Sequence, residues 1–113
     1  MPSLVLRIYL DPDGHIGPGK VELLEHIDSL GSISAAARAM QMSYKRAWDL
    51  VEEMNRIFGK PVVSAHTGGK RGGGAQLTAV GEAVISHYRA VEQVATAAAQ
   101  GHMTALQAAI EAG

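Results

Sequence analysis

Cysteine is absent from the 113 residues, which excludes disulfides and thiolate metal sites and fits a reducing compartment. Nowhere does an apolar run approach the roughly 20 residues that a membrane-spanning helix requires. The opening Met1-Pro2-Ser3-Leu4 lacks the charged and apolar regions of a secretion signal. A cytoplasmic protein without a membrane partner is expected. Catalytic signatures are missing as well: no nucleophile–base pairing and no carboxylate dyad stands out, so no enzyme is expected. The five histidines, His15, His26, His66, His87 and His102, offer no pair at metal-ligand spacing on one element. Neither a metal nor a cofactor is expected.

Strong net charge is lacking too, and a balance of −1 at pH 7 looks wrong for a chain that meets phosphates. Dividing the sequence changes the picture. Residues 1–30 carry Arg7 and Lys20 against Asp11, Asp13, Glu22, Glu25 and Asp28, a balance of −3. Residues 31–80 carry Arg38, Lys45, Arg46, Arg56, Lys60, Lys70 and Arg71 against Asp49, Glu52 and Glu53, a balance of +4. Residues 81–113 return to −2. Positive charge is thus concentrated in the middle block, as expected where one face meets a polyanion. An ordinary solvated surface with uneven charge accounts for these balances equally well.

What is present reads as one globular domain with an appended helix, 47% apolar and 19% charged. Leu4, Leu6, Ile8 and Leu10 alternate with Val5, Arg7 and Tyr9, the period of a half-buried strand. Asp11-Pro12-Asp13-Gly14 is turn chemistry. Gly17-Pro18 opens a helix, since proline suits the first helical position where no donor is required. Val21, Leu24 and Ile27 form its apolar stripe, with Leu23 and Leu30 alongside, and Gly31 terminates it.

Two short helices joined by a tight corner follow. Ser34 is the expected cap of the first, and Ala35, Ala36, Ala37 and Ala39 allow close packing against a neighbour. Gln41-Met42 makes the corner, and Ser43 caps the second helix. There Ala47, Leu50, Val51, Met54, Ile57 and Phe58 form a buried stripe, and Gly59 ends it. Tyr44, Lys45 and Arg46 stand ahead of that stripe, where a recognition helix presents its first residues to base edges. Trp48 lies one turn after Tyr44, so the two are expected to stack, with Trp48 propping the helix start. Ser32, Ser34 and Ser43 are read as caps first and phosphate donors second.

Residues 61–67 read as a strand and residues 75–78 as its partner. Between them runs Gly68-Gly69-Lys70-Arg71-Gly72-Gly73-Gly74, a loop with two cations near its middle. A basic hairpin after a helix-turn-helix makes a winged helix, whose wing tip reaches backbone or minor groove. His66 is read first as a plain strand position and second as a phosphate contact from the wing. The loop is not a phosphate-binding P-loop, because Arg71 follows Lys70 and Ser64 stands where the first glycine belongs. Nor does it supply G-x-G-x-x-G, since Leu77 occupies the third glycine's place. A linker remains the bland reading of this run.

From Thr78 onward the pattern is helical. Val80, Val84, Tyr88, Val91, Ala95 and Ala98 form a narrow seam suited to a partner helix, and are assigned to a dimer interface. Gly101-His102 is expected to interrupt the helix before a short final turn. The division is therefore residues 1–79 as a DNA-binding domain and residues 80–113 as a dimerisation segment. The fold class is mainly α with a small β component: a winged helix-turn-helix with an N-terminal strand and a long C-terminal helix.

The segments SISAAARAMQMSYKRAWDLVEEMN and TGGKRGGGAQLT together resemble the N-terminal DNA-binding domain of the ModE molybdate-responsive transcriptional regulators. Similarity spans residues 4–91, and the pairing of SYKRAW with TGGKRGGGAQLT is quite specific. LysR-type regulators share the looser pattern GSISAAA…LT..GE but do not characteristically carry Trp48 or this wing. The resemblance implies a winged-helix homodimer on double-stranded DNA, bound to palindromic operators of molybdate-transport or molybdoenzyme genes. It places family roles on Ser43, Tyr44, Lys45 and Arg46, and on Thr67, Lys70 and Arg71 of the wing. The family's molybdate-binding domains have no counterpart in these 113 residues, so direct molybdate sensing is not expected of them. Two other readings stay open: an oxyanion-binding protein using amides of the glycine loop, and a helix-turn-helix module that contacts protein.

Overall fold

The computed structural model describes residues 1–66 and 74–112. In chain order it has β1 (Ile8–Tyr9), β2 (His15–Ile16), α1 (Pro18–Leu30), α2 (Ile33–Ala39) and α3 (Tyr44–Phe58), then β3 (Val63–His66), β4 (Gly74–Leu77) and α4 (Ala79–Ala112). Among the described residues, four helices and two small antiparallel sheets make the expected winged helix-turn-helix.

The amino end is less of a strand than its alternation suggests. Pro2, Leu4, Leu6, Ile8 and Leu10 are half-buried and the residues between them exposed, so the period-2 pattern does face inward. Ladder pairing is nevertheless confined to Ile8 opposite Ile16 and Tyr9 opposite His15. The turn at residues 11–14 brings back a segment that Gly17-Pro18 converts to helix at once, leaving no longer partner. A hydroxyl secures the arm instead: Tyr88 of α4 donates to the Leu6 carbonyl at 2.7 Å.

Local signals set the helix ends. Pro18 sits in the first turn of α1, and Gly31 closes it in the left-handed region at φ 71°. Ser32, not Ser34, caps α2, its oxygen accepting from the Ala35 amide at 3.0 Å. Both serines precede the alanine run at plausible distances. Ile33 decides between them, because it is buried and belongs to the helix rather than to its approach. Ser43 caps α3, accepting from the Arg46 amide, and Gly59 ends it at φ 66°. Between α2 and α3, Gln41 takes φ 56° and makes the corner.

Val21, Leu23, Leu24 and Ile27 of α1 meet Ile33, Ala36 and Ala37 of α2 and Ala47, Leu50, Val51 and Met54 of α3 in one core. Val62, Val63, Ala75 and Leu77 close it from the wing strands, and Val84 and Tyr88 from α4. The alanines of α2 let it lie close to both α1 and α3. Thr78, expected in the strand, instead caps α4, accepting from the Gly81 amide at 3.2 Å while donating to the Pro61 carbonyl.

Helix α4 runs unbroken for 34 residues through Gly101 and His102, contrary to the expected interruption. A glycine inside a helix costs about 1 kcal/mol, which the alanine-rich turns around it absorb. Arg89 fastens α4 to α1 with two bonds to the Glu25 carboxylate, and donates to Glu92 at 2.8 Å. These carboxylates hold its guanidinium protonation well above the ordinary arginine range.

Lys20 is a core feature invisible to periodicity. It is 6% exposed, yet its ammonium donates to the His15 carbonyl and to Glu53 Oε1, both at 2.8 Å. The Lys20 bond holds the Glu53 carboxyl below the usual glutamate range. A depressed carboxyl stabilises the fold above its unfolded pKa and loses that contribution as pH falls through the folded value. Glu53→Gln is expected to cost about 1–2 kcal/mol near neutrality, less than a fully buried pair because Glu53 is partly solvated. Urea unfolding at neutral pH and below about pH 4 should show the gap between the two proteins closing in acid. A gap that persists in acid would show that the carboxylate charge is not its origin.

Candidate nucleic-acid interface

Helix α3 buries one face and leaves its start in solvent. Ala47, Leu50, Val51 and Met54 hold it to the core, so Ser43, Tyr44, Lys45 and Arg46 project beyond the body, all exposed. Lys45 is 84% exposed on its side chain and pairs with Asp49 one turn on, at 3.0 Å, a contact of the weak, screened kind. Arg46 has no side-chain partner among the described residues, so its guanidinium is available to an acceptor outside the chain.

Tyr44 does not stack on Trp48; the aromatic pair among the described residues is Tyr9 with His15. Trp48 is 38% exposed and stands outside the core cluster. The prop assigned to it falls to the Ser43 cap and the Ala47 contact. Both aromatics sit on the solvent flank of α3, because the buried stripe runs through residues 47, 50, 51 and 54.

The wing strands pair as Val63 with Leu77, Ser64 with Gln76, Ala65 with Ala75 and His66 with Gly74. Ala75 also donates to the Gly31 carbonyl at 2.9 Å, tying the wing base to the α1–α2 junction. Thr67, Lys70 and Arg71 lie outside the described residues. A cavity of about 290 Å³ opens where these elements converge, lined by Ser32, Ile33, Ser34, Tyr44, Ala65, His66, Gly74 and Ala75. It brings Ser32 and Ser34 of the α2 start together with Tyr44 of α3 and the root of the wing. Arg38 reaches its edge, donating to Ser34 Oγ at 3.2 Å. Arg38 is a polar neighbour that sequence reasoning left out, hinted at only by the pooled charge of the middle block, whereas His66, read first as a plain strand position, lines the cavity.

The expected dimer seam divides in two. Val84 and Tyr88 are buried in the chain's own core and Val80 packs against it, so these residues do not stand open as the helical spacing implied. A spacing pattern cannot tell an intramolecular partner from an intermolecular one. Val91 is 43% exposed, and Ala95 and Ala98 follow it along the projecting part of α4. Beside the seam is an apolar groove of about 320 Å³, walled by Ile8, Leu10, Ile16 and Phe58 and by Val80, Ala83, His87 and Val91. Val94, Leu106 and Ile110 are also exposed on α4. No helix among the described residues is long and apolar enough to cross a membrane.

Comparison with known proteins agrees with this architecture. Residues 19–82 match the bacterial regulatory helix-turn-helix proteins of the lysR family. The chain is 53% identical over 77 residues to the molybdenum-pterin-binding protein MopB of Rhodobacter capsulatus, covering 68% of the chain and 28% of that protein. It is 41% identical over 91 residues to the transcriptional regulator ModE of Haemophilus influenzae, covering 80% and 36%. With the DNA-binding transcriptional dual regulator ModE of Escherichia coli the identity is 39% over 92 residues, covering 81% and 35%. The chain thus spans about a third of the length of these relatives. Its fold is similar to that in the crystal structure of a CbnR_DBD–DNA complex, with a TM-score of 0.59 at 18% identity over 78% of the chain and 95% of that one. With its matched segment, its capped helix pair and its wing strands, the chain belongs to the lysR-type family of bacterial regulatory helix-turn-helix proteins and is homologous to ModE and MopB.

Proposed function

We propose that this chain is a sequence-specific, double-stranded-DNA-binding transcriptional regulator of the ModE kind, working as a homodimer on palindromic operators. The observation that carries it is the start of α3: three side chains, Tyr44, Lys45 and Arg46, lifted clear of a body that buries the rest of the helix. Arg46 reads base edges, since a guanidinium without an internal partner can bond guanine in the major groove. Ser32, Ser34, Ser43, Tyr44 and Lys45 hold backbone phosphates, and Thr67, Lys70 and Arg71 of the wing add contacts outside the groove that α3 enters. Molybdate-transport or molybdoenzyme genes are the targets in this reading, in keeping with a relative whose name is molybdenum transport protein ModE.

Residues 1–79 carry the DNA contacts and residues 80–113 join two copies. Two features support the second assignment: the apolar groove beside α4, and the exposed Val91 and Val94 that continue its line beyond the domain. A helix of this length projects well past the core, at about 1.5 Å per residue, and the longest dimension of the chain is 60 Å against 20 Å for the shortest.

Arg46→Ala is expected to weaken binding to the operator by about 1–3 kcal/mol and to relax base preference. Lys70→Ala is expected to weaken specific and scrambled duplexes alike and to lower the salt slope by about one. Fluorescence anisotropy on both duplexes separates the roles. Equal losses on the two sequences for Arg46→Ala would refute base reading by that residue.

A further inference from the structure

Trp48 has a place in the fold but no role in holding it. It is the one tryptophan of the chain. Ala47, Leu50, Val51, Met54, Ile57 and Phe58 of α3 lie in the core or against it, whereas the indole lies in neither position and is 38% exposed. It does not stack on Tyr44. The bonds around it run from Lys45 to Asp49, from the Arg46 amide to Ser43 and from Asn55 to Glu52, so among the described residues its Nε1–H donates to nothing. An exposed apolar side chain by itself needs no explanation. This one stands on the element proposed to enter the groove.

Helix geometry sets what the indole can meet. Arg46 and Trp48 are about 200° apart around the axis, at about 100° per residue, and Lys45 lies between them on the side away from the buried stripe. An α-helix with its side chains is about 10–12 Å across and the major groove about 12 Å wide. Both flanks of the helix start therefore meet the groove when its outward centre does. The neighbours of Trp48 on the exposed surface, Asp49 and Glu52, are carboxylates, which disfavours a phosphate there and leaves the base edges. Of the four bases, only thymine shows a methyl group in the major groove, beside an acceptor oxygen. An indole has an apolar face, one donor and no acceptor. It complements thymine and has nothing to offer the amino group of cytosine.

We propose that Trp48 is a specificity-determining residue, its indole packing on the C5-methyl of a thymine in each half-site. The inference rests on the DNA-binding reading above and adds a base to it: Arg46 takes guanine from one flank of α3, and Trp48 takes thymine from the other. Removing one buried methyl costs about three- to fivefold in affinity. The contact therefore shows as a position where thymine and uracil, which pair alike, are told apart.

The test begins with an operator selected from a random duplex pool by the full chain. Each thymine of its half-sites is replaced symmetrically by deoxyuridine, and anisotropy reads the affinities of the wild type, Trp48→Ala, Trp48→Phe and Arg46→Ala. At one position the wild type is expected to lose about three- to fivefold per half-site. Trp48→Ala binds the unaltered operator more weakly and shows no further loss at that position. Trp48→Phe retains part of the loss, and Arg46→Ala retains all of it. Circular dichroism checks that each variant is folded. The emission of the single tryptophan gives a readout without substitution: it is expected to shift to shorter wavelength on the saturated operator, and less on a scrambled duplex. If Trp48→Ala loses as much as the wild type at every deoxyuridine position, or the emission shifts equally on both duplexes, the thymine contact is overturned and the DNA-binding reading stands. No binding of any duplex, even at low salt, would overturn both.

Discussion

Replacing Val91 and Val94 together by glutamate is expected to produce a folded monomer whose affinity for an intact palindrome is lower by about two to four orders of magnitude. The magnitude follows from valency. Two linked recognition helices bind the second half-site as an intramolecular event, and a monomer forfeits that gain entirely. Folding should survive, because Val94 is 71% exposed and Val91 43% exposed, so little apolar burial within the chain is lost. The new carboxylates instead stand where two apolar helix faces would meet, and burying such charges without partners is strongly unfavourable. Sedimentation velocity reads the assembly, circular dichroism the fold, and anisotropy the operator and a single half-site. The decisive comparison is with the half-site, on which wild type and variant should bind alike. A variant that remains dimeric with unchanged operator affinity would exclude this face of α4 as the joint.

The second large effect concerns stability. Gly81→Ala is expected to cost about 3 kcal/mol or more, although Gly→Ala within a helix usually gains roughly 1 kcal/mol. A Cβ on Gly81 would stand 2.2 Å from the Val62 carbonyl oxygen and 3.4 Å from Leu77 Cβ. Neither side can give way cheaply. The Val62 side chain is fully buried, its amide donates to Asn55 Oδ1 at 2.8 Å, and its carbonyl accepts from the Thr78 amide at 3.0 Å. Thr78 in turn is held to Pro61 and to the first turn of α4. Gly101 is the internal control. It lies in the same helix with nothing within 4 Å of its Cβ position, so Gly101→Ala should stabilise by about 0.5–1 kcal/mol. Thermal unfolding should therefore show Tm falling by about 10 °C or more for Gly81→Ala and rising for Gly101→Ala. A rise for both would mean that α4 does not approach the Val62 backbone so closely.

Much of the helical frame was legible because its signals are local. Gly17-Pro18, Gly31, Ser43 and Gly59 act on backbone groups within a turn of themselves, and each stands at the helix end assigned to it. The apolar stripe of α3 was legible for the same reason, since its spacing requires only one helix and one core. The failures all involve a second element. Ser32 and Ser34 cannot be ranked as caps until Ile33 is known to be buried. A burial pattern at residues 4–10 implies a strand, yet a ladder needs a partner as long as itself. Tyr88 and Val84 look like a seam for another helix until the amino-terminal arm and α1 are placed against them. Lys20 reads as a surface cation until the His15 carbonyl and the Glu53 carboxylate close over it.

The recognition surface shows the same division. Tyr44, Lys45 and Arg46 were identifiable from their position ahead of a buried stripe, whereas Trp48 was misassigned because an aromatic pair one turn apart need not touch. His66 read as a plain strand position first and a phosphate contact only second. Its place follows from pairing with Gly74, which no spacing along the chain reveals.

Residue order alone thus determined where helices begin and end, which face of each is apolar, and that positive charge gathers in the middle of the chain. Those properties depend on contacts only a few residues long. Tertiary structure decided which apolar faces are used up within the chain and which remain open, why Gly81 is irreplaceable while Gly101 is not, and how hydroxyls from α2 and α3 come to share a cavity with an imidazole from β3. These depend on elements remote in sequence meeting at ångström distances, and a linear pattern does not encode such distances until the core has packed.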